Sequence, residues 1–285
     1  MEKIHILLPV HDRKEETNKF IKNLKQQTYE NYHLVLIDDG STDGTAEMAL
    51  AELPQTTVIK GQGKWWWGGS LHQGYKWLKE HKLPINDIVL IINDDVTFEP
   101  DFLQKAVALL SANPRTLFLA KSYSQETGEF LDGGTHVDLK YLRFEQNPED
   151  GSKINCLSTR GLFFKVGDFL EIGGFHPVLV PHYGSDYEFT LRAHRKGFAL
   201  KVPDELKVYL NEKTSWAQDR AQEPLWNFLK LFFSKRQPCN PFYRSIFVIL
   251  VCPWTRIPRN ILKVWKKAIW EVGHKIKVHL NLAKE

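Results

Sequence analysis

Two short acidic stretches carry most of the chemistry legible in this chain. One is Asp38-Asp39-Gly40-Ser41-Thr42-Asp43-Gly44 and the other is Asn93-Asp94-Asp95; each directly follows an apolar run. Carboxylates a few Å apart repel by roughly 4 kcal/mol at an effective dielectric near 20, and a bound cation removes that cost. No cysteine lies nearby, so the donor set is oxygen-only. Hard divalent ions, Mn²⁺ or Mg²⁺, suit such a set and share their shell with a substrate's phosphates. The competing reading is turn chemistry, because Asp, Gly and Ser are turn formers. A third stretch, Lys64-Trp65-Trp66-Trp67-Gly68-Gly69-Ser70, sets three indoles beside two glycines. It reads as a sugar or acceptor platform beside a helix N-terminus that favours a diphosphate oxygen; core packing competes for at least one indole. The familiar phosphate loops are absent. Pro9-Val10-His11-Asp12 replaces the glycine turn of a dinucleotide site, and Tyr75 stands where a P-loop needs lysine.

These residues need a frame that gathers them at one edge. Ile4–Pro9, His33–Asp38, Thr57–Lys60, Ile88–Ile92 and Leu117–Ala120 read as strands. Glu15–Gln26, Thr42–Leu53, Ser70–Glu80 (opened by the two glycines) and Pro100–Ser111 read as the helices between them. All-apolar strands alternating with helices predict a parallel sheet covered on both faces. Ligands bind outside the C-terminal strand ends of such sheets, where both acidic stretches stand. Lys121–Asn155 reads as hairpins or loops, Gly161–Val166 as a strand and Ser185–Lys196 as a helix.

Four strings in order resemble the inverting family-2 glycosyltransferases of GT-A fold, rhamnosyltransferase-like enzymes of bacterial surface glycans among them. They are the opening strand with Pro9, LVLIDDGSTDGT (Leu34–Thr45), IINDDV (Ile91–Val96) with the following EPDFL, and the segment Gly173–Phe198 that opens GGF and closes SDYEFTLRAHRKGF. The resemblance covers Lys3 to Val208. It implies an α/β fold of GT-A type: a Rossmann-like, mainly parallel central sheet flanked by helices. It implies a hexosyl or deoxyhexosyl transfer from a UDP- or dTDP-sugar to a glycan or lipid-linked acceptor, with Mn²⁺ or Mg²⁺ as cofactor. By the same resemblance Asp39 contacts the base, where a carboxylate accepts the N3–H of uracil or thymine, and Pro9, Asn93 and Asp94 also lie at the nucleotide. Asp95 is the metal ligand and Asp186 the catalytic base. Trp66, Trp67, Gly68, Gly69, His182 and Tyr183 line the sugar or acceptor. The chain departs from the family pattern at Asn93, in the first acidic position of the DxD motif, and at Ser185, where Glu is usual. Asn211 or His182 stands in for a histidine after the last strand. Helical geometry turns residues two apart by about 200°, so Asp186 and Glu188 cannot both face the site. Arg192 fits a helix arginine that pairs with an acid or touches substrate.

Hydrophobic residues make up 42% of the 285 and charged residues 25%, which excludes a disordered, collagenous or coiled-coil chain. The net charge of +4 is unevenly spread. From Trp226 onward twelve Lys and Arg face two Asp and Glu, leaving residues 1–225 at −6. We therefore expect a GT-A domain over 1–225 and a basic, aromatic helical tail over 226–285. The tail suits an anionic membrane surface, or it packs on the domain or on a second subunit in a homodimer. Three scattered cysteines and an opening Met1–Asp12 unlike a signal peptide lead us to expect a cytoplasmic protein, peripheral on the inner face of the plasma membrane. Two rivals compete. A sugar nucleotidylyltransferase lacks its glycine-rich loop here. A nucleic-acid-binding protein explains the tail but not the acidic strand ends, so no nucleic-acid partner is expected.

Overall fold

The computed structural model describes residues 1–214, 225–235 and 237–282. β1 (Ile4–Val10), β2 (Tyr32–Asp38), β3 (Thr57–Lys60) and β4 (Ile88–Ile91) alternate with α1 (Lys14–Leu24), α2 (Thr45–Glu52) and α3 (Trp66–Glu80). Next come β5 (Val96–Thr97), α4 (Phe102–Ala112), β6 (Thr116–Leu119), β7 (Lys121–Ser124), β8 (Phe130–Asp132), β9 (Thr135–Asp138) and β10 (Arg143–Gln146). The chain continues through β11 (Leu162–Lys165), α5 (Val166–Ile172), α6 (Ser185–Arg195), β12 (Ala199–Lys201) and β13 (Lys207–Leu210). The tail holds α7 (Leu225–Phe232), α8 (Pro241–Val251) and α9 (Ile257–Leu282).

The seven-stranded sheet runs β12-β6-β11-β4-β1-β2-β3. β1 lies parallel to β2 and β4, and β2 to β3. Period-two alternation sorts the strand residues between two faces. Ile6, Leu8, Leu36 and Leu90 pack on Phe20, Ile21, Ala49 and Leu103 from α1, α2 and α4. Leu7, Val35, Ile37 and Val89 pack on Leu71, Leu78, Phe169 and Phe189 from α3, α5 and α6. Each such side chain contributes about 1.5–3 kcal/mol on full burial, and every residue of β1 is buried. The sheet is mainly parallel rather than wholly so, because β11 runs antiparallel to β4 and β6. A parallel return needs a crossover, usually a helix; here the chain returns through β7, β8, β9 and β10, the hairpins expected over Lys121–Asn155, and so arrives reversed.

α3 begins at Trp66, four residues before the expected start, so Gly68 and Gly69 lie inside its first turn. Close packing requires the first glycine: a Cβ on Gly68 would stand 2.8 Å from the Val180 carbonyl oxygen and 2.9 Å from Ser185 Cβ. α2 likewise opens at Thr45 rather than Thr42, after Asp43 Oδ1 accepts from the Thr45 N–H at 3.0 Å.

The expected division at 225/226 adjoins residues 215–224, which lie outside the described residues. On either side of it the chain shares one apolar cluster: Val137, Cys156 and Leu191 on one side, Phe247, Val248, Val251 and Val264 on the other. Among the described residues no helix is long and apolar enough to cross a membrane.

Candidate active site

β4, β1 and β2 are neighbours, so their C-terminal ends bring Asn93–Asp95, Val10–Arg13 and Asp38–Asp39 to one sheet edge. Arg13 Nε donates to both Asp94 oxygens, at 2.7 and 2.9 Å, and Thr17 Oγ1 donates to Oδ2 at 3.0 Å. Burial pushes Asp94 up to about 6, against the pull of Arg13. Asp94 thus ties the end of β4 to the start of α1. Arg13 Nη2 also lies 3.9 Å from Asp95 Oδ2. Sequence reading passed over Arg13, although it is the first basic residue after β1. Pro9 is buried in β1, and Asn93 is half-buried beside the acidic pair.

Asp39 braces the third stretch. Its Oδ1 accepts from the Lys64 N–H at 3.1 Å, and its Oδ2 from the N–H groups of Trp65 and Trp66 at 2.8 and 3.0 Å. The last two are donors that a helix start leaves without intrahelical partners. The approach is tight, since a Cβ on Gly61 would stand 2.6 Å from Asp39 Oδ1.

The start of α3 then meets the loop before α6. The Gly68 N–H donates to the Pro181 carbonyl at 2.8 Å. The Trp66 ring lies 5.7 Å from that of His182. Trp67 Nε1 donates to Thr159 Oγ1 at 2.9 Å. Trp65 and Trp67 also pack against the second core, so core and platform readings both apply to this segment. Gly69 is buried in the same turn.

Beyond that loop lies a cavity of about 640 Å³ whose lining includes Asp132, Arg160, His182, Tyr183, Asp186 and Tyr187. Gly184 enters α6 with φ +82°, a left-handed conformation that favours glycine, and Asp186 follows in the first turn. Burial pushes the Asp186 carboxyl up to about 6, with the Asp132 charge adding to the rise; the Tyr187 N–H at 2.9 Å and Arg160 pull it back. Lys235, Tyr243, Arg244 and Phe247 of the tail line the same cavity. Neither Asp132, Arg160 nor this tail wall was singled out in the sequence, because each reaches the cavity through long-range packing.

Glu188 points elsewhere, as helical geometry requires. Its side chain is 3% exposed and receives Arg192 Nε at 2.9 Å and Nη2 at 3.0 Å, with His176 Nε2 at 3.6 Å. Arg192 further donates to the carbonyls of Ile172, Gly173 and Gly174. It is a structural brace. The Asn211 N–H donates to the Asp95 carbonyl at 2.9 Å, so Asn211 stands beside Asp95, while His182 sits with Trp66 and Tyr183.

Among the described residues no three His, Cys, Asp or Glu side chains are grouped to hold a metal. The acidic edge offers the Asp95 carboxylate, since Asp94 is held by Arg13 and Thr17. That fits a cation only as one shared with a diphosphate, which would supply most of its oxygen ligands.

The family model of glycosyl transferase family 2 matches residues 5–173. The chain belongs to this family. The matched span includes Asp39, Trp65–Gly69 and Asn93–Asp95, and it ends before Asp186. Among curated relatives, the family-2 chain is 26% identical over 191 residues to an uncharacterized glycosyltransferase of Haemophilus influenzae, covering 66% of this chain and 61% of that protein. It is 20% identical over 260 residues to the poly-beta-1,6-N-acetyl-D-glucosamine synthase of Staphylococcus aureus, covering 84% of this chain and 59% of that one. The chain therefore spans about three fifths of the length of these two relatives. Among solved structures, the mannosyltransferase PcManGT from Pyrobaculum calidifontis, in complex with GDP-Man and Mn²⁺, superposes with a TM-score of 0.56 at 16% identity, over 99% of this chain and 81% of that one. The fold of this family-2 chain is GT-A.

Proposed function

We propose that the chain moves a hexose or deoxyhexose from a nucleotide-diphosphate donor, a UDP- or dTDP-sugar, to a hydroxyl of a glycan or lipid-linked acceptor, with inversion. The observation that carries the reading is Asp186, a carboxyl raised to about 6 in a cavity of about 640 Å³. His182 of the cavity lining touches the Trp66 ring, and the Trp66 N–H bonds to Asp39 at the acidic strand ends, so a chain of contacts links the two places. A general base works best with a pKa near the working pH. Asp186 takes the proton of the acceptor hydroxyl as its oxygen bonds to the anomeric carbon, and the bond from that carbon to the diphosphate breaks on the opposite face. No covalent intermediate forms, so one displacement inverts the configuration.

In this reading Asp39 holds the 64–66 backbone around the base and accepts its N3–H, with Pro9, Asn93 and Asp94 alongside. Trp66, Trp67, Gly68, Gly69, His182 and Tyr183 bound the sugar and acceptor. A divalent cation, Mn²⁺ or Mg²⁺, would neutralise charge on the leaving diphosphate, and Asp95 is the residue to hold it. The polysaccharide-synthase relative supports a role in bacterial surface glycan synthesis. The tail would rest on an anionic bilayer at the inner face of the plasma membrane. Its Trp226, Trp254 and Trp270 are 76, 82 and 67% exposed amid twelve basic residues.

Nucleotide release from a panel of nucleotide-sugars with Mn²⁺ tests the proposal. At least one sugar should turn over in wild type, and Asp186→Asn should abolish most of that turnover. Full transfer by the variant would overturn the assignment of the base. Thermal stabilisation by RNA or DNA but not by UDP with Mn²⁺ would favour the nucleic-acid rival.

A further inference from the structure

The cavity around Asp186 carries more positive charge than its two carboxylates use. Arg160, Lys235 and Arg244 all line it, and among the described residues none of the three makes an ion pair. Arg160 Nε is buried with no hydrogen-bond partner. Asp132 is committed to the Ser158 hydroxyl at 2.6 Å and the Gly134 N–H at 3.1 Å, and Asp186 accepts from the Tyr187 N–H. Three cations therefore face two carboxylates, both already hydrogen-bonded.

The donor's diphosphate does not account for them. On the proposed reading it lies at the ends of β1, β2 and β4, and neither Arg13, Asp39 nor Asp95 lines this cavity. Lys235 and Arg244 come instead from the tail. The same wall is apolar as well: Leu131, Phe144 and Phe247 line it, and the Phe144 ring stacks 6.0 Å from that of Tyr187. Guanidinium forks match phosphate oxygens two at a time, and a lysine adds a point charge.

We infer that the acceptor bears a phosphate group, seated by Arg160, Lys235 and Arg244, with its sugar or prenyl body against Phe144 and Phe247. The inference rests on the transferase reading and adds to it the chemical class of the acceptor. The tail thereby serves as a specificity element of the cavity, apart from any contact with a bilayer.

Calorimetric titration of the full chain tests this with two pairs of probes. Glucose 1-phosphate against glucose presents the phosphate on a sugar, and farnesyl phosphate against farnesol presents it on a prenyl chain. In at least one pair the phosphate should bind about tenfold more tightly or better, and that pair identifies the source. Arg244→Gln combined with Lys235→Gln should erase about tenfold of the preference. Arg244→Lys combined with native Lys235 should restore much of it. UDP affinity serves as the control and should stay within about threefold. No preference in either pair, or a preference intact in the double variant, overturns the inference. So does a UDP affinity that falls in step, which would give the cations to the donor. Failure of the phosphate preference with nucleotide-sugar turnover intact removes this subsite and leaves the transferase. Phosphate binding lost in the double variant, in a wild type that turns over no nucleotide-sugar, supports the subsite and refutes the transferase.

Discussion

The indole of Trp66 and the imidazole of His182 stand 5.7 Å apart between ring centroids, at an interplanar angle of 56°. The same Trp66 gives its backbone N–H to Asp39. One residue thus joins the strand-end acids to the loop that delivers Asp186. Trp66 also holds φ +58°, a left-handed conformation costly for a side chain of that size. Trp66→Gly should relieve that cost, leaving stability within about 1 kcal/mol of wild type, while transfer falls about tenfold. Trp66→Phe should keep most of the activity. A Gly variant with wild-type turnover would show that the ring contact is idle.

Asp39→Ala removes the acceptor for three part-buried N–H groups at the head of α3. Stranded donors and lost charge-assisted bonds together should cost about 3 kcal/mol, read as a fall in the thermal midpoint without nucleotide present. Asp39→Asn keeps one oxygen and should cost less. An unchanged midpoint for the alanine variant would mean that these bonds do not hold the segment.

Asp186 has its carboxyl raised from an ordinary 3.8 to about 6, chiefly by burial. Its neutral form is the one the fold favours, so the stability it contributes is complete below 3.8 and lost as pH rises through about 6. Asp186→Asn should therefore unfold at a higher temperature than wild type at pH 8, by the equivalent of at most about 3 kcal/mol, and the gap should close near pH 4. The same change should lower turnover by about 10²- to 10⁴-fold. Wild-type kcat/KM should climb with pH through a midpoint near 6. A variant no more stable at pH 8 than at pH 4, relative to wild type, contradicts the burial of this carboxyl.

Arg192 is fully committed, with two bonds to Glu188 and three to backbone carbonyls. Arg192→Met leaves a buried carboxylate without its partner and should cost about 3–5 kcal/mol. Denaturant unfolding would show this as a lower midpoint at unchanged slope. A loss of activity without any loss of stability would instead place Arg192 at the substrate.

The exposed tryptophans of the tail give a separate test. Wild type should co-sediment with vesicles containing about 30% phosphatidylglycerol and be released as salt rises, because surface attraction fades beyond a Debye length of about 8 Å. Trp254→Ala with Trp270→Ala should lose most of the binding. Equal sedimentation with neutral phosphatidylcholine vesicles, or none at all, would remove the membrane role.

The β1 to β4 strands were legible because runs such as Ile88–Ile91 are uniformly apolar, short and bounded by turn residues. The gathering of the acidic stretches at one sheet edge was legible because each directly follows an apolar strand of a parallel set. β11 was legible as a strand but not in its direction, which depends on a return through hairpins that fix no topology locally. The start of α3 was hidden because Gly68 and Gly69 are poor helix formers; only the approach of Val180 and Ser185 explains Gly68. The Arg13–Asp94 pair joins residues 81 positions apart, a contact no local pattern announces. The tail's composition showed its charge but not the surface it presents to the cavity.

The shared cluster of Leu191, Phe247, Val248 and Val251 makes shortening this chain hazardous. Cutting it at 225 would bare an oily flank of the helix that carries Asp186, and the fragment would be prone to clump. Silence from such a fragment in an assay would report spoiled material, so the contribution of the last sixty residues is better probed by point changes on their outward side.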